Sequence, residues 1–257
     1  MNAVFKSFVL AFSKYSISPK AREKKNEEES AQYILLFVPL IGFIIGGLIF
    51  ICSEGWPYLC NYALLPAVVC VILPIIVSGG RHLEGFIKTV DALSAHKTRE
   101  EKMEILADSH GGYFAIIVCL SYYLLDIGIW SEMPIDGIPI LAIGFVMSRA
   151  LFGLSILTLN HAKESKSVNY IPESSVTRMI EIIILGALAM VGAYFMVFFN
   201  ASVGLACVVG ALITFVYYWL VTQKHFGGIT EDSAGFFLQL CEIIIPLAAL
   251  LAYKKWW

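Results

Sequence analysis

Arg149 stands near the middle of an apolar run, 138–158, preceded by Ser148 and followed by Ala150. An arginine inside a membrane helix is expensive and needs a partner or a water-filled cavity, so a functional role is the default reading. Two chemistries suit it. Its guanidinium fork can grip a phosphate through two parallel hydrogen bonds, or it can pair with an acid in another apolar run, for which Glu242 is the candidate and the role structural. A second group lies in the polar stretch 78–112, where Glu84, Lys88 and Asp91 fall at i, i+4 and i+7, one stripe of a helix. Thr98 and Glu101 have the spacing of a capping box, which predicts a second short helix over 99–107 that delivers Asp108 to the following loop. Gly79-Gly80 opens this stretch and Gly111-Gly112 closes it. A third group is the glycine-bounded acidic turn 226–235, with Glu231 and Asp232. A solvated, charged helix face is the structural reading of the stripe. The functional reading rests on position, because all three polar elements must gather at one membrane face.

The elements that position these groups are apolar helices. Of 257 residues, 58% are hydrophobic and only 15% are charged, against roughly a quarter in ordinary soluble domains. Mean hydropathy is +0.77, and the apolar residues collect in blocks of about twenty, the length that crosses a hydrocarbon core. The expected spans are 33–52, 58–77, 113–131, 138–158, 179–199, 202–222 and 236–253, all helical because lipid offers backbone groups no other partner. The fold class is therefore an all-α, polytopic transmembrane bundle of about six to eight spans, with short amphipathic helices beside it. Residues 1–257 read as one membrane domain, and 78–112 as the motif-bearing loop within it. Gly42 and Gly46 form a small-residue pair at GxxxG spacing in the first span, open either to close helix packing or to no special role.

Lys and Arg set the orientation. With the N-terminus inside, fifteen of the eighteen fall in inner segments, which places the N-terminus and 78–112 in the cytoplasm. Arg149 lies within a span, and Lys254 and Lys255 are the exceptions. The net charge of −2 gives no support to nucleic-acid binding, and the scattered cysteines, without a CxxC pair, indicate neither a metal site nor a disulfide framework. No removable signal peptide is expected.

Together these residues resemble the adenosylcobinamide-GDP ribazoletransferase family, also called cobalamin-5′-phosphate synthases. Gly79-Gly80-x-His82-x-Glu84-Gly85, continued by Asp91-Ala92-Leu93, is similar to the family signature GG-x-H-x-DG-x-x-D-x-x-D-[GA]. Similar stretches are Ala11–Ser16, Pro39–Gly42, Lys102–Gly112 with Asp108 and His110, Ser148-Arg149, and Gly227–Gly235 with Glu242 following. The resemblance implies joining of α-ribazole, or its 5′-phosphate, to adenosylcobinamide-GDP with release of GMP. It implies Mg²⁺ as cofactor, held by Glu84, Asp91, Asp108 and Asp232. It implies catalytic roles for Asp91, Asp108, Asp232 and His82, and substrate contacts from Arg149, Ser148, His110, Gly79 and Gly80. It further implies a bacterial inner-membrane enzyme in the lipid bilayer, and leaves homo-oligomerisation open.

Several positions depart from the family pattern. Glu84 replaces an Asp, Lys88 replaces a second Asp, Glu231 stands where Gly is usual, and Arg81 where an apolar residue is usual; Ser18-Pro19-Lys20 is a reduced form of a proline-bracketed motif. The Lys88 ammonium is within reach of both Glu84 and Asp91, roughly where a metal ion would sit, with Glu231 as a compensating acid. One alternative is a catalytically degenerate member that binds corrinoid or acts as a scaffold. Another is a small transporter with Arg149 and Glu242 as pathway residues, for which the inverted repeat of such proteins is not seen.

Overall fold

The computed structural model describes residues 3–17, 33–59, 63–108, 111–162, 172 and 174–254. Ten α-helices run through the described residues, with no strand among them. The short helix α1 (Ala3–Tyr15) leads into α2 (Ile34–Leu59), followed by α3 (Leu64–Ser78), α4 (Arg81–Ser94) and α5 (Arg99–Ala107). Then come α6 (Tyr113–Ser131), α7 (Ile138–Thr158), α8 (Ser175–Phe199), α9 (Ala201–His225) and α10 (Glu231–Lys254). Six of them, α2 and α6 to α10, are long and apolar enough to cross a membrane. The chain is thus a multi-pass helical membrane protein. The seventh expected span is shorter than the sequence predicts. α3 has 15 residues, a rise of about 22 Å at ~1.5 Å per residue, against a hydrocarbon core of ~30 Å. It starts at Leu64, and α4 leaves it at an angle of 95°.

α7 and α10 are the most enclosed spans and α8 the least. α2 and α7 approach until backbones nearly touch. A Cβ added at Gly42 would lie 2.3 Å from the Phe145 carbonyl oxygen, and one at Gly46 would lie 2.3 Å from that of Ala142. The GxxxG spacing therefore serves close packing here, since only glycine removes that obstacle.

The same ends of the helices meet repeatedly. Ile17 N–H donates to the Val77 carbonyl at 2.9 Å, so α1 lies against the end of α3. The segment after α7 pairs with the segment before α10, Ile229 N–H donating to Asn160 at 2.8 Å and Ala162 N–H to Ile229 at 3.1 Å. At the opposite end, Lys254 pairs with Glu132 at 3.2 Å. The last helix is long and apolar enough to cross, and its end lies beside the segment that joins α6 to α7; Lys255 lies outside the described residues.

Candidate functional site

Helix α4 is built with two faces. His82, Gly85, Phe86, Thr89 and Ala92 are buried at helical spacing, while Glu84, Lys88 and Asp91 occupy the other side. Gly79 and Gly80 precede it with φ of +64° and +74°, a conformation that a side chain disfavours. They end α3 and redirect the chain into α4.

The buried face of α4 rests on the first turn of α10. A Cβ at Gly85 would fall 2.5 Å from the Asp232 carbonyl oxygen, and Phe86 stacks on Phe236 with ring centroids 5.7 Å apart. Thr230 and Ser233 fix that first turn reciprocally, Thr230 N–H donating to Ser233 Oγ at 2.9 Å and Ser233 N–H to Thr230 Oγ1 at 3.1 Å. Asp232 thereby reaches the polar side of α4. Asp91 lies six positions after Gly85, a rise of about 9 Å.

The expected capping box is present. Thr98 N–H donates to Glu101 Oε2 at 2.8 Å, and Glu101 N–H to Thr98 Oγ1 at 3.4 Å. It starts α5, whose Leu106 packs with Ala92 and Phe226 and whose C-cap is Asp108. Asp91 Oδ2 accepts the Gly112 N–H at 3.0 Å, and a Cβ at Gly112 would lie 2.1 Å from Asp91 Oδ1. The glycine that closes the polar stretch is needed for Asp91 to hold the loop.

Lys88 lies in the middle of this acid group. Its ammonium pairs with Glu84 at 2.7 Å, the lysine side chain only 14% exposed and the glutamate 61%. Burial alone would lower its pKa. The hydrogen bond to Glu84 and the negative charges of Asp232, Glu84 and Asp108 outweigh burial and hold it above the usual lysine value. Asp91 is engaged by Gly112, so Lys88 serves Glu84 and does not bridge it to Asp91. Glu231, expected to compensate Lys88, is taken by Lys14 of α1 at 3.0 Å. The hard oxygen donors suit Mg²⁺ in kind; the Lys88 ammonium sits among them, and no three His, Cys, Asp or Glu among the described residues are grouped as a metal site.

The other expected contacts fall elsewhere. His82 is 4% exposed, packed between Tyr15 and Phe152, and both ring nitrogens lack a hydrogen-bond partner. Burial, reinforced by the charges of Arg149 and Arg81, pushes its pKa down to about 3. The enclosed ring is therefore neutral at ordinary pH, and its contacts here are packing contacts. Arg149 is fully buried and ion-paired with Glu242, while its Nη1 donates to Ser148 Oγ at 3.1 Å. Of its two readings the structure adopts the pair with Glu242, because both lie inside the bundle. His110 lies outside the described residues.

A family description, Cobalamin-5-phosphate synthase, matches residues 7–250. The chain belongs to this family. Its relatives include an adenosylcobinamide-GDP ribazoletransferase of Lachnoclostridium phytofermentans, 35% identical over 96% of this chain and 94% of that protein. Proteins of the same name from Clostridium botulinum (strain Alaska E43) and Citrobacter koseri are each 29% identical, over 98% and 97% of this chain and 99% and 100% of their own lengths. No solved structure matches the chain. For a member of the cobalamin-5-phosphate synthase family, the acid group on α4, α5 and α10 is the natural place to look for chemistry.

Some partners escaped the sequence reading. Gln239 Nε2 donates to Glu242 Oε2 at 2.8 Å, and Tyr123 donates to Gln239 Oε1 at 3.3 Å. Gln239 stands one turn before Glu242 in an apolar run, and that polar pair was the available signal. Lys102 against His225, 123 residues apart, had no such signal.

Proposed function

We propose that the chain joins α-ribazole, or its 5′-phosphate, to adenosylcobinamide-GDP with release of GMP, at the membrane face formed by α4, α5 and the start of α10. The observation that carries this reading is the gathering of Glu84, Asp108 and Asp232 about Lys88, in a chain of the synthase family. A hydroxyl of the ribazole attacks the diphosphate phosphorus that bears cobinamide. Its proton passes to a carboxylate, for which Asp232, Asp91 and Asp108 are the candidates, and GMP leaves. Magnesium enters this proposal as a weakly bound ion: the oxygens of Asp91, Asp108 and Asp232 suit it and the Lys88 ammonium opposes it. A second reading, a family fold with reduced or lost catalysis, is favoured by that same lysine.

The site lies, on this proposal, at the cytoplasmic face of a bacterial inner membrane with the N-terminus inside, as the basic residues indicate. An impermeant thiol reagent added from outside that labels Ser94→Cys would refute the orientation. For the reaction, purified protein in nanodiscs is incubated with adenosylcobinamide-GDP, ribazole 5′-phosphate and graded Mg²⁺. Release of GMP with formation of cobalamin 5′-phosphate is expected; no product at any Mg²⁺ concentration overturns the transferase reading in favour of the second.

A further inference from the structure

The first half of α5 carries a cation that the acid group does not use. Lys102 is 7% exposed, and among the described residues no carboxylate pairs with it. Its polar neighbour is His225, with Nζ 3.2 Å from Nδ1. The charges acting on the His225 ring are those of Lys102 and Lys224, both positive. Arg99, three residues before Lys102, lays its guanidinium on Gly227, where an added Cβ would fall 0.8 Å from Nη2. The acids of α5 do not answer these charges: Glu101 is held by the Thr98 cap, and Glu100 and Glu104 are exposed.

A buried cation without a counter-ion is strongly disfavoured. Arg99 and Lys224 are exposed and hydrated, so Lys102 is the charge that needs a partner; the carbonyl end of α9 offers it the equivalent of only about half a negative charge. A phosphate, with its charge and several acceptor oxygens, would supply the rest. The position is also apt. Lys102 and Asp108 are six residues apart on α5, a rise of about 9 Å, so an anion here lies beside the acid group without entering it.

We propose that Arg99, Lys102, Lys224 and His225 form a subsite for a phosphate monoester, and that it receives the 5′-phosphate of the ribazole acceptor. This assignment rests on the transferase reading above; the anion site itself does not.

The test uses the full chain in nanodiscs of uncharged lipid, first with inorganic phosphate as probe. Lys102→Gln is expected to weaken phosphate binding about 10- to 100-fold, the loss of a charge-assisted hydrogen bond, with Lys102→Arg retaining most of it. In the transferase assay, the ratio of KM values for ribazole and ribazole 5′-phosphate should fall by a similar factor in Lys102→Gln. Unchanged phosphate affinity in a folded Lys102→Gln protein overturns the subsite, as does wild-type protein that binds no phosphate. A weakened phosphate affinity with an unmoved KM ratio overturns the assignment to the acceptor. Binding elicited by phosphatidylglycerol in the disc, and not by phosphate in solution, makes the occupant a lipid headgroup and overturns the proposal. A chain that binds phosphate through Lys102 yet transfers nothing refutes the transferase reading while upholding the anion site.

Discussion

The molecule holds two cation–carboxylate pairs that look alike on paper and differ in surroundings. Arg149 and Glu242 meet in the core of the bundle, with side-chain exposures of 0% and 7%; Lys88 and Glu84 meet at its polar edge, at 14% and 61%. In the core, Gln239 and Ser148 add hydrogen bonds to the pair while Arg149 Nε has no partner, and neither charge can be left alone in so poor a solvent. At the edge, Glu84 remains hydrated and Lys88, on a flexible stem, can carry its head toward water. The first arrangement acts as a strut. The second can be rearranged by an arriving ion or substrate.

Breaking the core pair should have the largest effect. Arg149→Met leaves the Glu242 carboxylate buried without a counter-ion, and a loss of about 3–5 kcal/mol in unfolding free energy is expected. Denaturant titration in detergent measures this, and the double change Arg149→Met with Glu242→Leu should recover much of the loss. A single variant as stable as the parent would mean that the core pair is no strut.

At the edge the expectation is reversed, with activity moving more than stability. Asp232→Asn should lower kcat by about 10²- to 10⁴-fold if this carboxylate takes the proton, with little shift in Tm. A large fall in Tm with residual activity intact would assign Asp232 to the first turn of α10 alone.

Lys88→Asp sharpens the contrast further. A divalent ion ~4 Å from an ammonium is repelled by about 8 kcal/mol at an effective dielectric of 20, an upper bound because the lysine can move. The variant should therefore bind Mg²⁺ at least about tenfold more tightly by calorimetry and gain transferase activity. Equal Mg²⁺ affinity in the two proteins would place Lys88 outside the ion's reach.

The smallest effect concerns His82, which lies between the two regions with Arg149 as its strongest charged neighbour. Its pKa is about 3 in the folded chain against ~6.5 unfolded. The unfolded state therefore binds the extra proton, and stability declines as pH falls from about 6.5 toward 3. His82→Gln should flatten that part of the Tm–pH curve and leave the activity profile between pH 6.5 and 8 without a missing inflection. Loss of an inflection there would return a proton-carrying role to His82.

Much of this architecture was legible in one dimension. Long apolar runs have a single way to satisfy their backbone in lipid, so α2 and α6 to α10 followed from run length. Thr98 and Glu101 announced the start of α5 because a cap is a contact between neighbours in sequence. The stripe Glu84, Lys88 and Asp91 was visible for the same reason. Partner choice was not legible, because it depends on which helices lie side by side. Arg149 had two chemistries open until α7 and α10 met; Glu231 was free to balance Lys88 until α1 brought Lys14 to it; and His82 read as a polar motif residue until Tyr15 and Phe152 enclosed it. Local hydrogen bonding and run length act within a few residues and are written in the chain. Burial and ion pairing act between distant segments, and only their packing decides them.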